Sequence, residues 1–232
     1  MASSYQPSYR ASPVELLGAD ARVRFIARTY GHLFAAIAAF TAIEGWLFLT
    51  GTAEVIARAM LGTSWLVILG GFMIVAMIAS WGAARATSIG VQYLALGAYV
   101  VADAIIFVPL LFIAESYGPG TISSAALITL LGFGGLTAIA VVTGKDFSFL
   151  RGILLWAGVA ALLLIVASVI FGFELGTIFS VAMVALAGGA ILYSTSRILR
   201  SYPEDRYVSA ALELFASVAL MFWYVLRLTS RE

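Results

Sequence analysis

Three carboxylic acids lie inside long apolar stretches of this 232-residue sequence, at Glu44, Asp103 and Glu213. A charged side chain is costly in a hydrocarbon environment, so an acid at such a position is a functional candidate by default. A buried carboxylate can hold a proton or bind a cation, and either activity changes its charge. The three acids therefore indicate proton-linked or cation-linked chemistry within a membrane.

The composition requires a membrane environment around these acids. Hydrophobic residues make up 62% of the chain and charged residues 11%, whereas a soluble domain is about half apolar and a quarter charged. The absence of cysteine excludes a disulfide scaffold. A net charge of +1 leaves no large basic face for nucleic acid. The sequence thus predicts a polytopic membrane protein whose main partner is the lipid bilayer.

Seven stretches are long enough to cross the bilayer, because a helix needs roughly 20 apolar residues to do so. They are continuously apolar, which excludes the alternation of a membrane β-barrel. We predict an all-α membrane protein with seven transmembrane helices in residues 29–232, after a polar segment, residues 1–28, whose first 20 residues are poorly ordered. The predicted spans are Tyr30–Leu49, Trp65–Ala84, Ile89–Ala114, Ile122–Val142, Phe149–Phe171, Ile178–Leu199 and Tyr207–Leu228.

Basic residues in the loops predict the orientation, because Lys and Arg are enriched on the cytoplasmic side. Of the 13 basic residues, three lie on one side of the seven spans: Arg58, Arg227 and Arg231. The other ten lie on the side of the N-terminus. We therefore expect a cytoplasmic N-terminus and, after seven crossings, an external C-terminus. The preference for Arg over Lys suggests a GC-rich genome and hence a bacterial inner membrane.

Several functions of seven-helix and membrane proteins are disfavoured by the residues present. A retinal protein needs a lysine in its last span, but the only lysine is Lys145, in a predicted cytoplasmic loop. His32 is the only histidine, and no HExxH motif, Walker loop or evident serine nucleophile motif occurs. We expect no enzymatic activity and no bound cofactor.

Four segments together indicate a known family. They are Tyr30–Gly31, residues 145–150 (KDFSFL), residues 191–198 (ILYSTSRI) and residues 211–217 (ALELFAS), the last ending in Leu226-Arg227-Leu228. In order and spacing they resemble the Bax inhibitor-1 family of transmembrane Bax inhibitor motif proteins. The resemblance implies a fold with the last helix at the centre. It also implies a pH-sensitive Ca²⁺-leak channel, although some bacterial relatives are associated with regulation of membrane proteases.

The sequence departs from the family at the residues that the resemblance identifies as its pH sensor. In the family, two aspartates face each other from spans six and seven, and the matching positions here are Ser194 and Ser217. Two carboxylates that share a site form a proton switch, whereas two hydroxyls carry no charge and can bond to each other or to a helix carbonyl. The resemblance therefore implies altered or lost pH gating.

Glu213 is a candidate for a relocated titrating group. At ~1.5 Å per residue, Glu213 and Ser194 both lie roughly 8–9 Å from the cytoplasmic ends of their spans. Glu213 also shares a helix face with Ser217, four residues later. The alternative is that Glu213 pairs with Arg85, Arg197 or water near the interface. Arg85 itself either extends to the cytoplasmic interface or pairs at this gate.

Asp103 and Glu44 lie deeper, each roughly 21 Å from the cytoplasmic end of its span. Both are predicted beyond the midplane, where they can form the outer half of a cation path. The candidate Ca²⁺ ligands along this path are Asp103 and Glu213. Alternatively, Glu44 simply reaches the outer interface.

Two hypotheses of different classes follow from these residues. The first is a Ca²⁺ or cation leak channel with Ca²⁺ as the permeant ion, which the intramembrane acids favour. The second is a non-conducting membrane protein that regulates a membrane protease or another partner, which the polar N-terminal segment favours. Transport of an organic solute is a third possibility, but the sequence contains no visible binding motif for one.

Overall fold

The computed structural model describes residues 13–86 and 88–230. The described residues form helices and no strand, which confirms the predicted all-α class. A short 3₁₀ helix at Val14–Leu16 precedes the α-helices. These are α1 (Ala19–Leu49), α2 (Thr52–Leu61), α3 (Trp65–Arg85), α4 (Ile89–Tyr117), α5 (Thr121–Thr143), α6 (Leu150–Phe171), α7 (Thr177–Arg200) and α8 (Tyr207–Thr229).

The seven long helices of the described chain, all except α2, are apolar enough to cross a membrane. The protein is therefore a multi-pass membrane protein. The first helix differs from its predicted span, since α1 begins at Ala19 rather than at Tyr30. Arg22, Arg24 and Arg28 occupy the added turns, and their charges obscured the helix in a search for continuous apolar residues.

The short helix α2 was not predicted. It buries Ala53 and Ala57 against the rest of the protein, while Glu54 and Arg58 form an exposed ion pair one turn apart. Its ten residues are too few to span a bilayer, so a search for apolar runs passes over it.

Helix α8 lies at the centre of the bundle, as the family resemblance implies. It contacts α1, α3, α4, α5 and α7, and it is the most buried of the long helices. Its buried side chains include the small Ala210 and Ala211 and the large Leu214 and Phe215, all almost fully enclosed by the neighbouring helices. In contrast, α6 is peripheral and buries only Ala161.

The N-terminal segment packs against the helical bundle from Pro13 onward. Residues 1–12 of the segment expected to be poorly ordered lie outside the described residues, but Val14 is fully buried. Its backbone N–H donates a hydrogen bond to the carbonyl of Tyr202 at 3.0 Å, and Pro13 forms a β-bridge with Pro203. The segment is thereby attached to the α7–α8 loop.

The KDFSFL segment forms the α5–α6 loop and is held by α7. The backbone N–H of Phe147 donates to Ser196 Oγ at 3.2 Å, and that hydroxyl donates to the carbonyl of Lys145. Within the loop, the backbone N–H of Ser148 donates to Asp146 at 2.8 Å. This bond lowers the pKa of Asp146 below its usual value, because it stabilises the charged form.

Candidate functional site

Glu213 accepts hydrogen bonds from three side chains that α7 and the following loop bring to α8. Ser194 Oγ donates to Glu213 Oε1 at 2.8 Å, and Arg197 Nη2 forms an ion pair with Oε2 at 2.5 Å. The Tyr202 hydroxyl donates to the same Oε2 at 3.3 Å. We call these four residues the Glu213 cluster. Both carboxylate oxygens are therefore bound, and the negative charge is matched by one guanidinium.

The cluster holds Arg197 in place from several directions. Its guanidinium lies 5.1 Å from the ring centre of Tyr202 and 5.6 Å from that of Tyr193. The Glu213 side chain is 23% exposed and that of Arg197 is 40% exposed. A partly buried ion pair of this kind is screened less than a surface pair. The arrangement can fix the position of α7 against α8.

Tyr202 lies in the α7–α8 loop and is buried. Burial, followed by the nearby Glu213 carboxylate, raises the pKa of its hydroxyl. The hydroxyl therefore stays protonated and remains a hydrogen-bond donor. Sequence reasoning missed this residue, and the signal was its place in a six-residue loop between the helices that carry Arg197 and Glu213.

The two serines at the family's aspartate positions play different parts. Ser194 contacts the Glu213 carboxylate, as the matching depths of the two residues predicted. Ser217 Oγ instead donates to the backbone carbonyl of Glu213 at 3.1 Å, within its own helix. Of the two alternatives given for the pair, Ser217 has the bond to a helix carbonyl, whereas Ser194 follows neither because its hydroxyl binds Glu213.

Arg85 lies elsewhere in the structure. It is exposed at the end of α3, and its guanidinium carbon is 3.6 Å from the ring centre of Trp81. Of the two basic partners considered for Glu213, the one in contact is Arg197.

A second cluster, which we call the acid pair, consists of Glu44 on α1 and Asp103 on α4. Their exposed fractions are only 6% and 3%. Among the described residues, neither oxygen of Glu44 nor Oδ2 of Asp103 has a hydrogen-bond partner. Both side chains line a small cavity of about 220 Å³ between α1, α4, α5 and α8. Glu44 is thus enclosed by protein instead of extending to the outer interface.

A large cavity of about 900 Å³ lies between α3, α4, α6 and α8. Its lining includes Glu174 and Arg227, near the C-terminal end of α8, and Asp103 and Ser217 within the bundle. Glu213 lies one helical turn beyond Ser217 and does not line the cavity. The Glu213 cluster therefore lies just beyond the part of α8 that lines this cavity.

The two candidate Ca²⁺ ligands, Glu213 and Asp103, lie in different clusters. Glu213 pairs with Arg197, whereas Asp103 lies in the acid pair, so the two do not share one site. Within residues 13–86 and 88–230, no group of three or more metal-binding side chains occurs. His32 bonds to the hydroxyl of Tyr93 and to a backbone carbonyl, both at 2.7 Å.

A comparison with the sequences of known families identifies the family to which this chain belongs. The sequence model of a family described as "Inhibitor of apoptosis-promoting Bax1" matches residues 22–232. The chain belongs to the Bax inhibitor-1 family. The match includes both the Glu213 cluster and the acid pair.

Bacterial relatives of this Bax inhibitor-1 family protein include two that are themselves described as uncharacterized. One, a membrane protein of Vibrio cholerae, is 35% identical over 109 residues, which are 45% of this chain and 47% of the relative. The other, from Pseudomonas aeruginosa, is 32% identical over 114 residues, which are 48% of this chain and 50% of the relative. The chain spans about half the length of the curated relatives it matches.

Proposed function

We propose that this Bax inhibitor-1 family protein is a Ca²⁺-leak channel of the bacterial inner membrane, closed on the cytoplasmic side by the Arg197–Glu213 ion pair. The observation that carries the proposal is the large cavity, which reaches Ser217 and ends one turn before Glu213. The positive-inside bias supports the orientation, with residues 1–28 cytoplasmic and the C-terminus outside.

The ion pair has the properties of a closed gate. Arg197 neutralises the carboxylate that a cation would need as a ligand, and its own positive charge repels an approaching cation. Ser194 and Tyr202 donate to the same carboxylate, so the cluster joins α7, α8 and their loop. Opening requires Arg197 to leave Glu213.

Acidification favours opening in this proposal. Protonation of Glu213 removes the charge that attracts Arg197, and the other groups that face Glu213, Ser194 and Tyr202, carry no charge to replace it. The pH response of the family, which the resemblance assigns to an aspartate pair, is thus altered here and depends on one acid. Asp103 and Glu44 supply negative charge farther along the path.

The experiment is Ca²⁺ flux through the purified full-length protein in liposomes, from acidic to alkaline pH. We expect a small flux at neutral pH and a larger one in acid. Absence of flux at every pH contradicts the channel proposal.

The alternative is a non-conducting protein that regulates a membrane protease or another partner. The attachment of residues 13–17 to the α7–α8 loop favours it, because a partner that binds the N-terminal segment would act directly on the Tyr202 region. The flux experiment distinguishes the two functions, and neither assigns a catalytic activity to the chain.

A further inference from the structure

The acid pair is a buried polar feature for which the described residues provide no visible charge compensation. Glu44 and Asp103 interact electrostatically with each other and are enclosed by four helices. Three of their four carboxylate oxygens lack a hydrogen-bond partner among the described residues. Buried polar groups are normally hydrogen-bonded, and buried charges are paired or bind metals.

No basic side chain among the described residues lines the small cavity. The other titratable or charged residues that line the large cavity with Asp103 are Tyr99, Glu174, Tyr224 and Arg227. Of these, Tyr99 lies on α4 with Asp103 and interacts with it. Arg227 is at the far end of that cavity, ten residues beyond Ser217 on α8, and its guanidinium bonds to the carbonyl of Leu175. Within residues 13–86 and 88–230, the small cavity therefore brings no basic side chain to the acid pair.

Two threonines that line the small cavity have hydroxyl oxygens that are available to bind a cation. Thr41 Oγ1 donates its hydrogen to the carbonyl of Ile37 at 2.9 Å, and Thr129 Oγ1 donates to that of Ala125 at 2.8 Å. Both hydroxyls line the cavity with their hydrogens already engaged, so their oxygens are left with lone pairs. These lone pairs can coordinate a cation.

We propose that Glu44 and Asp103 form a divalent-cation site in which Ca²⁺ and protons compete. Two carboxylates supply a charge that one divalent ion balances, and hard oxygen ligands are those that Ca²⁺ prefers. A cavity of about 220 Å³ leaves room for coordinated water to complete the shell. The choice of Ca²⁺ as the ion rests on the proposed function, whereas the need for a compensating cation does not.

Access to the site is provided by Asp103, which lines both cavities. An ion that enters the large cavity therefore reaches a carboxylate of the acid pair before it meets the Glu213 cluster. The site is separate from the gate, and its occupancy does not require Arg197 to move.

The test is Ca²⁺ binding to the full-length protein in lipid nanodiscs, measured by equilibrium dialysis at neutral and acidic pH. We expect one Ca²⁺ bound at neutral pH and weaker binding in acid. Glu44→Gln and Asp103→Asn should each lower the affinity roughly tenfold or more, since ligand charge sets the affinity of such sites. Glu115→Gln is the matched control, because Glu115 is an exposed acid on the same helix as Asp103.

Melting temperatures of the wild type and the variants, measured without divalent ions, distinguish a lost Ca²⁺ site from a folding defect. Both neutral variants should melt at or above the wild-type temperature, because each removes an uncompensated buried charge. Ca²⁺ should raise the melting temperature of the wild type and of Glu115→Gln, but not that of Glu44→Gln or Asp103→Asn.

Wild-type Ca²⁺ affinity in both neutral variants would overturn the site, as would a wild type that binds no Ca²⁺ at any pH. The latter result would leave the acid pair as a proton-sharing pair only. Failure of the channel proposal is distinguishable from failure of the site proposal. A protein that binds Ca²⁺ at the acid pair but shows no flux would support the site and contradict the channel.

Discussion

At the scale of single residues, the molecule has two uncharged serines at the family's aspartate positions and one acid, Glu213, at the proposed gate. Ser194 is the hydrogen-bond donor to Glu213, whereas Ser217 is bonded within its own helix. Glu213 is consequently the titratable carboxylate that joins α7 to α8. The helical rise predicts that Glu213 and Ser194 lie at the same depth, and the family resemblance implies that their helices face each other there. The choice of Arg197 over Arg85 depends on side-chain direction and was left open.

Neutralising Glu213 should open the gate at neutral pH. Glu213→Gln keeps the shape but removes the charge that holds Arg197, and a hydrogen bond to a charged group contributes about 1.5 kcal/mol. The basal Ca²⁺ leak in liposomes should therefore rise roughly tenfold, and its pH dependence should flatten. Glu54→Gln, which breaks the exposed ion pair with Arg58 on α2, is the control and should leave the leak unchanged. A wild-type flux profile in Glu213→Gln would refute the assignment.

Adding a carboxylate at Ser194 should steepen the pH response. Ser194→Asp places a second acid within reach of Glu213, and two acids that share one site titrate as a coupled pair. Ser217→Asp alone should do less, because the Ser217 hydroxyl bonds to the backbone instead of the carboxylate. The combined variant should give the steepest flux-against-pH curve. Identical curves for the wild type and Ser194→Asp would contradict this geometry.

At the scale of elements, the position of the Glu213 cluster, the proposed gate, depends on how the α7–α8 loop is held. Tyr202 is bonded to Glu213 by its side chain and to Val14 by its backbone, and its ring centre lies 6.4 Å from that of Phe25. The 3₁₀ helix at Val14–Leu16 thus supports the loop from the side of the N-terminus.

Truncation of the N-terminal segment should loosen this loop. Removing residues 2–17 takes away the bridge to Pro203 and the buried Val14 side chain. The leak should increase, and amide hydrogen exchange should quicken at residues 202–206. Deletion of residues 2–10 is the control, because it leaves Pro13 and Val14 in place. Unchanged exchange after the longer deletion would show that the segment does not support the loop.

The sequence predicts the long helices better than it predicts which residues of different helices are in contact. Continuous apolar runs indicated all seven long helices, whereas α2 and the first turns of α1 are too short or too charged to be detected in this way. The acid pair joins residues 59 positions apart on two helices. Their meeting depends on how α1 and α4 rotate against α8, which packing determines and periodicity does not.

At the scale of the whole molecule, the two sides of the bundle differ in charge and in access. The Glu213 cluster lies on the side with the excess of basic residues, while the large cavity extends to Glu174 and Arg227 on the other. This asymmetry is what a leak path closed at one end requires.

Cysteine labelling should establish the orientation. Ser148, in the α5–α6 loop, and Ser116, at the end of α4, are both exposed, and the native chain contains no cysteine. In intact cells, an impermeant maleimide should label Ser116→Cys but not Ser148→Cys. Ser230 would be a poor reporter, because it is 5% exposed. Labelling of Ser148→Cys alone would reverse the orientation.

The most direct test of the ion-pair gate is a charge-reversal cycle measured by Ca²⁺ flux in liposomes. Arg197→Glu should raise the leak at neutral pH strongly, because it places two acids together and removes the positive charge that repels a cation. Glu213→Arg should raise it less, because the two arginines repel each other but also repel an entering cation. The double variant restores an opposite-charge pair with its direction reversed, so its leak should return toward that of the wild type. A double variant that leaks as much as the more leaky single variant, or single variants that leak no more than wild type, would contradict the gate.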